Sequence, residues 1–341
     1  MAETGTDPEA RPPRIGLVLG GGGVTGYGFH AGALAALEAA TGWDPRDAEV
    51  IVGTSAGSSV AALLRGGVTV TALVERIMAL PGDPEAMARL RQVVRGNRVA
   101  MAPPGSTPAP IGRVLAELRR RSQERIRRAA GTGRTRPGPG RPVAAARPDV
   151  DRIPPGALSE AAGLLHGDTW PEATLWIAAV DARTGRRAVF GRDPIEVPVA
   201  TAVQASCAVP GLFEPVEING RRYVDGGVRS ALNSDVLARV PLDLAVVLSP
   251  LSVNRAQPSP STTLVRAFPA LQARTEMGRL RRRGVDTLLL QPDGTIAQAM
   301  GLNPMAPDRL LAALETTVAT HTGRFEAVPD RRQLRTLRSA R

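Results

Sequence analysis

The sequence predicts an α/β fold with a mostly parallel central sheet, and the order of its first segments supports that prediction. An apolar run at residues 15–19 leads into four consecutive glycines and an alanine-rich run that favours a helix at residues 31–40. A second apolar run, residues 50–52, leads into a turn and another helix-forming run at residues 58–64. Strands that alternate with helices in this way form parallel sheets covered by helices.

Later segments extend the same sheet. Four further runs are apolar and short enough to be strands, and the second of them pairs with the first through a turn at Thr184 and Gly185. These strands are predicted at residues 175–180, 187–190, 242–248 and 287–291. Asp181, at the end of the first of these runs, is interpreted as a structural residue. A helix at residues 306–325 closes the predicted fold.

The chain divides into one domain, two tails and one insertion. Residues 1–13 are predicted to be a disordered tail, and residues 331–341 a basic tail with a frayed end. The domain is predicted over residues 14–330, with its core motifs at 15–240. An insertion at about residues 96–156 contains a predicted arginine-rich helix at residues 111–130. It continues at residues 131–156 as a stretch rich in Gly, Pro, Arg and Ala, a composition that is typical of unstructured chain.

Ser55 lies in a motif that is typical of a catalytic serine. Residues 53–57, Gly-Thr-Ser-Ala-Gly, match Gly-x-Ser-x-Gly and stand between a predicted strand and a predicted helix, the setting of a nucleophile elbow. Such a turn forces the serine into a sparsely populated backbone conformation and leaves room only for very small side chains, hence Gly53 and Gly57. An ordinary Gly/Ser turn between a strand and a helix is the alternative for this pentapeptide alone.

The four glycines at residues 20–23 predict an anion-binding loop, because backbone N–H groups that converge at a helix N-terminus bind anions. Gly21, Gly23 and Gly26 satisfy Gly-x-Gly-x-x-Gly, so the anion could be a dinucleotide pyrophosphate. It could also be the oxyanion of an acyl-transfer intermediate. A dinucleotide site requires an acidic residue at the end of the second strand. That strand instead runs into Ser55, which favours the oxyanion.

Residues 215–225 predict a β-hairpin whose turn is Asn219-Gly220 and whose second strand ends at Asp225. The block Asp225-Gly226-Gly227 is a weak motif by itself, since aspartate and glycine are common in turns. Beside a serine elbow and an anion-binding loop, however, Asp225 becomes the candidate general base.

In combination, these motifs resemble those of patatin-like phospholipases. The matching segments occur in the family's order at residues 20–32, 53–58, 205–215 and 225–227, within roughly residues 14–240. The resemblance implies a three-layer α/β/α patatin-like fold with a mostly parallel central sheet. It also implies a lipid acyl hydrolase of the phospholipase A or esterase type, which cleaves carboxylic ester bonds with a Ser–Asp dyad.

The resemblance assigns a role to each motif residue. Ser55 is the implied nucleophile, Asp225 the implied base, and Gly21, Gly22 and Gly23 the lining of the oxyanion hole. The remaining motif glycines are Gly26, Gly53, Gly57, Gly226 and Gly227. The family usually has Arg or Lys where this chain has Thr25, so a charge near the oxyanion site is missing. A non-catalytic lipid- or acyl-binding protein that keeps the fold is therefore an alternative.

Composition excludes several chemistries. All 43 basic residues are arginine, which rules out a Ser–Lys dyad, a Schiff base and a P-loop lysine. The single cysteine, Cys207, allows no internal disulfide and is interpreted as a small buried residue. Of the three histidines, only His321 fits the order of a Ser–acid–His triad, and it lies in a predicted helix. No metal and no cofactor is predicted.

The sequence also bears on location and partners. The N-terminus lacks the basic-then-apolar pattern of a signal peptide, and no apolar stretch reaches the ~20 residues of a membrane span, which predicts a cytoplasmic protein. A net charge of +11 is compatible with peripheral binding to an anionic membrane surface, although a solvated, arginine-biased surface explains it equally well. Nucleic acid is not expected, because the basic segment lacks interleaved aromatic residues and a binding motif.

Overall fold

The computed structural model of the chain describes residues 11–82, 160–254 and 260–341. The predicted insertion at about residues 96–156 lies outside this part of the chain, as do all but the last three residues of the predicted tail at 1–13.

The strands and helices follow the predicted order. The first part of the chain comprises β1 (Ile15–Leu19), α1 (Gly23–Thr41), β2 (Val50–Gly53), α2 (Ala56–Arg65) and α3 (Val70–Ala79). The middle part comprises α4 (Glu160–His166), β3 (Leu175–Asp181), β4 (Arg187–Phe190), α5 (Val199–Cys207), β5 (Val216–Ile218) and β6 (Arg221–Asp225). The last part comprises β7 (Leu244–Leu248), α6 (Pro260–Arg281), β8 (Asp286–Leu290), α7 (Gly294–Met300), α8 (Leu310–Ala327) and α9 (Arg332–Arg338).

Eight strands form one sheet, in which hydrogen-bonded neighbours follow the order β5-β6-β3-β2-β1-β7-β8 and β4 pairs with β3. The pairings of β1 with β2 and β7, of β2 with β3 and of β7 with β8 are parallel. Strands β4, β5 and β6 are antiparallel to their neighbours. The predicted α/β class with a mostly parallel central sheet is confirmed, and so is the hairpin that ends at Asp225.

Helices cover both faces of the sheet. Leu17 and Leu19 of β1 are fully buried in a core cluster that contains residues of α1, α2, α5 and α8. Val18 points to the other face and belongs to a second cluster with Ala273 and Met277 of α6. Parallel strands are buried on both faces, which explains why these runs are continuously apolar instead of alternating. The result is the expected three-layer α/β/α arrangement.

The C-terminal end is a packed helix and not the frayed segment that was predicted over residues 331–341. Leu334 and Leu337 of α9 are both fully buried, and the helix packs against α1 and β8. Residues three positions apart share one face of a helix. The arginines lie around this apolar pair: Arg338 donates to the backbone oxygen of Ala40, and Arg332 forms an ion pair of 2.7 Å with Asp286.

The ends of β2 and β6 meet on one edge of β3. Ile177 and Ala179 of β3 both pair with β4, so their second partners lie on the opposite edge. Those partners are Gly53 of β2 and Asp225 of β6. Because β2 runs parallel and β6 antiparallel to β3, the two strands approach from opposite directions. Their C-terminal ends therefore face each other across Ala178.

Candidate active site

Ser55 occupies the strained turn between β2 and α2. Its φ is 52° and its ψ is −125°, and α2 begins at the next residue. A residue other than glycine in such a sparsely populated region costs of order 1–3 kcal/mol, so the surrounding structure must hold it there. The backbone geometry predicted for a nucleophile elbow is thus present, with the half-buried Ser55 at its apex.

The glycines of the elbow are required by close packing. A Cβ on Gly57 would overlap the backbone oxygen of Leu19 in β1, and a Cβ on Gly53 would lie 2.5 Å from the Cα of Ser58. Neither position has room for any side chain, because the atoms that a Cβ would meet belong to the backbone and cannot move aside. The prediction that only very small residues fit beside the turn is therefore confirmed for these two positions.

Two other serines fix the backbone of Ser55. The hydroxyl of Ser206, at the end of α5, accepts a hydrogen bond of 2.9 Å from the N–H of Ser55. The hydroxyl of Ser58 donates to the backbone oxygen of Ser55 at 2.6 Å. Sequence reasoning missed both residues. The segment 205–215, which the resemblance singled out, contains Ser206 and was the available signal.

Asp225 lies beside Ser55 in a buried position. Its side chain is only slightly exposed, and its carboxylate accepts a hydrogen bond of 2.6 Å from the N–H of Gly227. The Ser55 hydroxyl is near enough to favour the charged form of this carboxylate and so to lower its pKa. A Cβ on Gly226 would overlap the backbone oxygen of Ala178, so the turn after β6 is pressed against β3. The two candidate catalytic side chains, 170 residues apart in the sequence, are thus brought close together.

Burial dominates the ionisation of Asp225. It raises the pKa of this carboxyl to about 6, while the hydrogen bond from Gly227 and the nearby Ser55 hydroxyl oppose the rise. A carboxylate removed from water loses hydration of its charged form, which makes the proton harder to remove. A base whose pKa lies closer to neutrality is a stronger proton acceptor and is still ionised at pH 7.

The glycine loop runs past Ser55 on its way into α1. A Cβ on Gly21 would lie 3.4 Å from the Cβ of Ser55, so Gly21 borders the serine side chain. The Gly21 N–H, however, donates to the backbone oxygen of Ala231 at 2.8 Å. Within the described residues, the N–H groups of Gly22 and Gly23 have no acceptor. These two amides, at the N-terminus of α1, are therefore the loop's available donors.

Two prolines flank the loop. A Cβ on Gly26 would lie 3.3 Å from the Cβ of Pro250, and the N–H of Thr25 donates to the backbone oxygen of Pro304 at 3.0 Å. The side chain of Thr25 is 1% exposed, and its hydroxyl has no partner in the part of the chain that is described. Nothing in the sequence pattern indicated that Pro250 and Pro304 border the loop.

The three histidines do not contact the candidate dyad. His30 and His166 place Nε2 at 2.7 Å from the backbone oxygen of Gly20 and 2.8 Å from that of Ala62, respectively. His321 places Nδ1 at 3.2 Å from the backbone oxygen of Thr317, and its burial lowers its pKa to about 4. The structural interpretation of His321 is supported, because its ring bonds within its own helix.

Cys207 and Asp181 also have the structural settings that were expected. Cys207 is buried, and burial followed by the nearby charge of Asp225 raises the pKa of its thiol to about 12. Asp181 accepts the N–H groups of Arg183 and Thr184 and so caps the turn between β3 and β4.

Across residues 11–82, 160–254 and 260–341, no group of three or more histidine, cysteine or acidic side chains is arranged to hold a metal ion. In the same part of the chain, no helix combines the length and the apolar character that crossing a membrane requires.

Comparison with known proteins identifies a matching family and several relatives. The family model described as patatin-like phospholipase matches residues 17–238. Uncharacterized NTE family proteins of Mycobacterium bovis and of Mycobacterium tuberculosis are 28% identical over 247 residues, which cover 72% of this chain and 51% of each relative. The chain thus spans about half the length of these relatives.

Two solved structures are also similar. Human GIVD cytosolic phospholipase A2, in complex with methyl gamma-linolenyl fluorophosphonate, is 15% identical with a TM-score of 0.34, over 98% of this chain and 61% of that one. The heterodimeric ExoU–SpcU complex of the Pseudomonas aeruginosa type III secretion system is 20% identical with a TM-score of 0.30, over 93% and 60% of the two chains. The family match spans more than half of the chain and includes the glycine loop, Ser55 and Asp225. This chain belongs to the patatin-like phospholipase family.

Proposed function

We propose that this protein is a serine lipid acyl hydrolase of the phospholipase A or esterase type, with Ser55 as nucleophile and Asp225 as general base. One observation carries the proposal: a serine held at a positive φ at the start of α2 lies beside a buried carboxylate whose pKa is raised to about 6. A strained serine beside a base with a shifted pKa is the arrangement that nucleophilic catalysis requires.

In the first half of the reaction, Asp225 takes the proton of the Ser55 hydroxyl as the serine oxygen forms a bond to the ester carbonyl carbon. The carbonyl oxygen becomes an oxyanion. The free N–H groups of Gly22 and Gly23 are the candidate donors to this oxyanion, while Gly21 leaves space for it. The tetrahedral intermediate then expels the alcohol, which leaves with the proton held by Asp225.

In the second half, water attacks the acyl-serine carbonyl and gives its proton to Asp225. The second tetrahedral intermediate breaks the bond to the serine oxygen, which recovers the proton from Asp225, and the fatty acid leaves. The base is therefore regenerated in each half, and no further titrating group is needed. The histidines, whose rings bond backbone oxygens elsewhere, have no part in this scheme.

The description of the family, patatin-like phospholipase, supports a lipid as the substrate. We propose a carboxylic ester of a lipid as substrate. Thr25 contributes no charge beside the glycine loop, so electrostatic stabilisation of the oxyanion rests on backbone dipoles at the start of α1.

Covalent labelling tests this proposal. A fluorophosphonate should add one phosphonyl group to the wild-type protein, and peptide mass spectrometry should locate it on Ser55. Ser55→Ala should abolish both labelling and hydrolysis of a short-chain ester. Ser59→Ala, a matched change one turn further along α2, should be labelled like the wild type. Labelling retained in Ser55→Ala, or its absence in a folded wild type, would contradict the proposal and favour a non-catalytic lipid-binding protein.

A further inference from the structure

Residues 230–234, which follow the Asp225 turn, are bonded to the two other segments of the candidate site. The backbone oxygen of Ala231 accepts the N–H of Gly21 at 2.8 Å. The backbone oxygen of Leu232 accepts the hydroxyl of Thr54 at 3.4 Å. The 230–234 segment therefore contacts both the glycine loop and the residue that precedes the candidate nucleophile.

Asn233 spans the gap between the elbow and the aspartate turn. Its Nδ2 lies 3.2 Å from Oγ1 of Thr54, 3.4 Å from the backbone oxygen of Gly226 and 2.7 Å from that of Ser230. Its Oδ1 accepts from Arg187 at 3.2 Å. The orientation of the amide is fixed by these partners, because carbonyl oxygens only accept and a guanidinium only donates. One amide thus links a neighbour of Ser55 to a neighbour of Asp225.

The backbone conformation at position 233 also favours asparagine. Its φ of 55° and ψ of 24° lie in the left-handed region, which asparagine tolerates better than most residues other than glycine. The side chain is fully buried, and the backbone N–H of Asn233 donates to the hydroxyl of Ser230 at 2.9 Å. A buried amide with all its groups paired is held rigidly.

Glu276 of α6 anchors the 230–234 segment to the second helical layer. Its carboxylate accepts the hydroxyl of Ser230 at 2.5 Å, and the N–H and hydroxyl of Ser234 at 2.8 and 2.6 Å. Glu276 is only 4% exposed. The segment that carries Asn233 is therefore fixed at both of its ends, so Asn233 can transmit that rigidity to the residues it bonds.

The elbow and the aspartate turn need such a link. Strands β2 and β6 pair with β3 but not with each other. Among the described residues, no backbone hydrogen bond joins residues 53–58 to residues 225–228. Beyond their shared pairing with β3, the two strand ends depend on bridging side chains for their separation.

We propose that Asn233 is a positioning residue that holds the Ser55 hydroxyl and the Asp225 carboxylate at the separation that proton transfer requires. The inference rests on the proposed function, because it concerns the geometry of that dyad. Asn233 touches neither the reacting oxygen nor the carboxylate. It acts through Thr54 on one side and through Gly226 on the other.

Kinetic comparison of two variants tests this role. Asn233→Gly keeps a residue that accepts the left-handed backbone but removes the amide. Asn233→Asp keeps the size but places an oxygen against the backbone oxygen of Ser230. Both should lower kcat and the rate of fluorophosphonate labelling by about 10- to 100-fold, since misplacement by about 1 Å can cost that much. KM for a short-chain ester should change little, because the side chain of Asn233 is fully buried and bonds only protein groups.

The pH profile supplies a readout that a purely structural role would not move. The N–H of Gly227 bonds the Asp225 carboxylate and favours its charged form. When Gly226 loses its tie to Asn233, this bond loosens and the pKa of Asp225 rises. The acid limb of the kcat profile should therefore move to higher pH in Asn233→Gly than in the wild type.

Changes at Thr54 keep the test available if the Asn233 variants do not fold. Thr54→Val removes the oxygen that accepts from Nδ2 of Asn233 and donates to Leu232 of the same segment, and it should lower kcat. Thr54→Ser keeps that oxygen and should retain most of the rate. Thr69→Ala removes the N-cap of α3, away from the site, and should lower Tm without changing kcat.

The outcomes separate the two proposals. A labelled wild type together with unchanged labelling rates and pH profile in Asn233→Gly, or with equal rates in Thr54→Val and Thr54→Ser, would overturn the positioning role alone. A folded wild type that is not labelled would overturn the proposed function and the positioning role with it.

Discussion

The hydroxyl of Ser206 accepts the N–H of Ser55 at 2.9 Å and donates to the backbone oxygen of Ala178 at 2.7 Å. Ala178 is the residue of β3 across which the ends of β2 and β6 face each other. One fully buried side chain therefore ties the strained serine to the centre of the sheet. Because a φ of 52° is unfavourable for serine, this hydrogen bond is one of the contacts that keep the elbow in place.

Ser206→Ala should reduce both stability and rate. Removing the hydroxyl leaves the Ser55 N–H without its acceptor, and an unsatisfied buried donor costs about 1–3 kcal/mol. We expect a lower Tm and a kcat for a short-chain ester that falls about tenfold or more, with KM little changed, because the serine oxygen is displaced from its reactive position.

Thr41→Ala is the matched control for Ser206→Ala. The hydroxyl of Thr41 is also buried and also accepts a backbone N–H, that of Trp43, at 3.2 Å, but at the far end of α1. This variant should lose a similar amount of stability and keep the wild-type kcat. An equal drop of kcat in both variants would show that the loss reflects general destabilisation and not the elbow.

Activity should follow the ionisation of Asp225. Because a general base works only when ionised, kcat/KM should rise with pH through about 6, the pKa to which burial raises this carboxyl. Asp225→Asn should lower kcat by at least about 100-fold, whereas His321→Ala should lose less than about tenfold. Rates of ester hydrolysis across the pH range measure the pH dependence of the wild type and the losses in the two variants. A loss at His321 comparable to that at Asp225 would replace the dyad by a triad.

The same carboxyl should make stability depend on pH. Its pKa in the folded protein, about 6, lies above the ordinary value of 3.8, so the folded state binds the proton more tightly than the unfolded state. Stability should therefore fall as pH rises between these two values. Asp225→Asn lacks this dependence and should raise Tm relative to the wild type at about pH 8, but much less at about pH 4. Thermal unfolding of both proteins at the two pH values tests this prediction. An equal difference in Tm at both pH values would contradict the raised pKa of Asp225.

Gly57→Ala should destabilise the protein strongly. The added methyl group would overlap the backbone oxygen of Leu19, and neither strand nor helix can move without breaking the elbow. We expect a loss of about 3 kcal/mol or more in chemical denaturation, or no folded protein. Gly163→Ala on α4 is the control, because its methyl group would meet Ala200 at an ordinary 3.6 Å. Similar losses for both would refute the steric requirement at residue 57.

Binding to anionic vesicles should depend steeply on salt. The chain carries a net charge of +11, and each arginine near an anionic surface contributes about 1 kcal/mol. Co-sedimentation with phosphatidylserine vesicles should weaken as salt rises above about 0.1 M, because salt at that concentration screens exposed charges that are more than about 10 Å apart. Phosphatidylcholine vesicles serve as control, and a variant that lacks residues 131–156 should bind less. Binding that is absent or insensitive to salt would leave only a solvated, arginine-biased surface.

The sequence by itself determined the local features of the site. The run of apolar residues before Ser55 and the small residues around it predict a strand, a tight turn and a helix, because steric limits act between neighbours in the chain. The turn at Asn219-Gly220 likewise predicts the hairpin that ends at Asp225. The four glycines at residues 20–23 predict a loop with open backbone N–H groups. Each of these predictions depends on contacts within about ten residues.

Only the tertiary structure decided how these pieces meet. Strands β2 and β6 end against each other at Ala178 because they pair with the same edge of β3 from opposite directions, and no local pattern specifies that edge. The same is true of the bonds from Ser206 to Ser55 and from Asn233 to Thr54, each of which joins residues more than 100 positions apart. The helix at residues 332–338 is packed because two leucines find a buried surface, which its arginine-rich composition concealed. Contacts between distant segments depend on the free energy of the whole fold, and a linear sequence records their chemistry but not their positions.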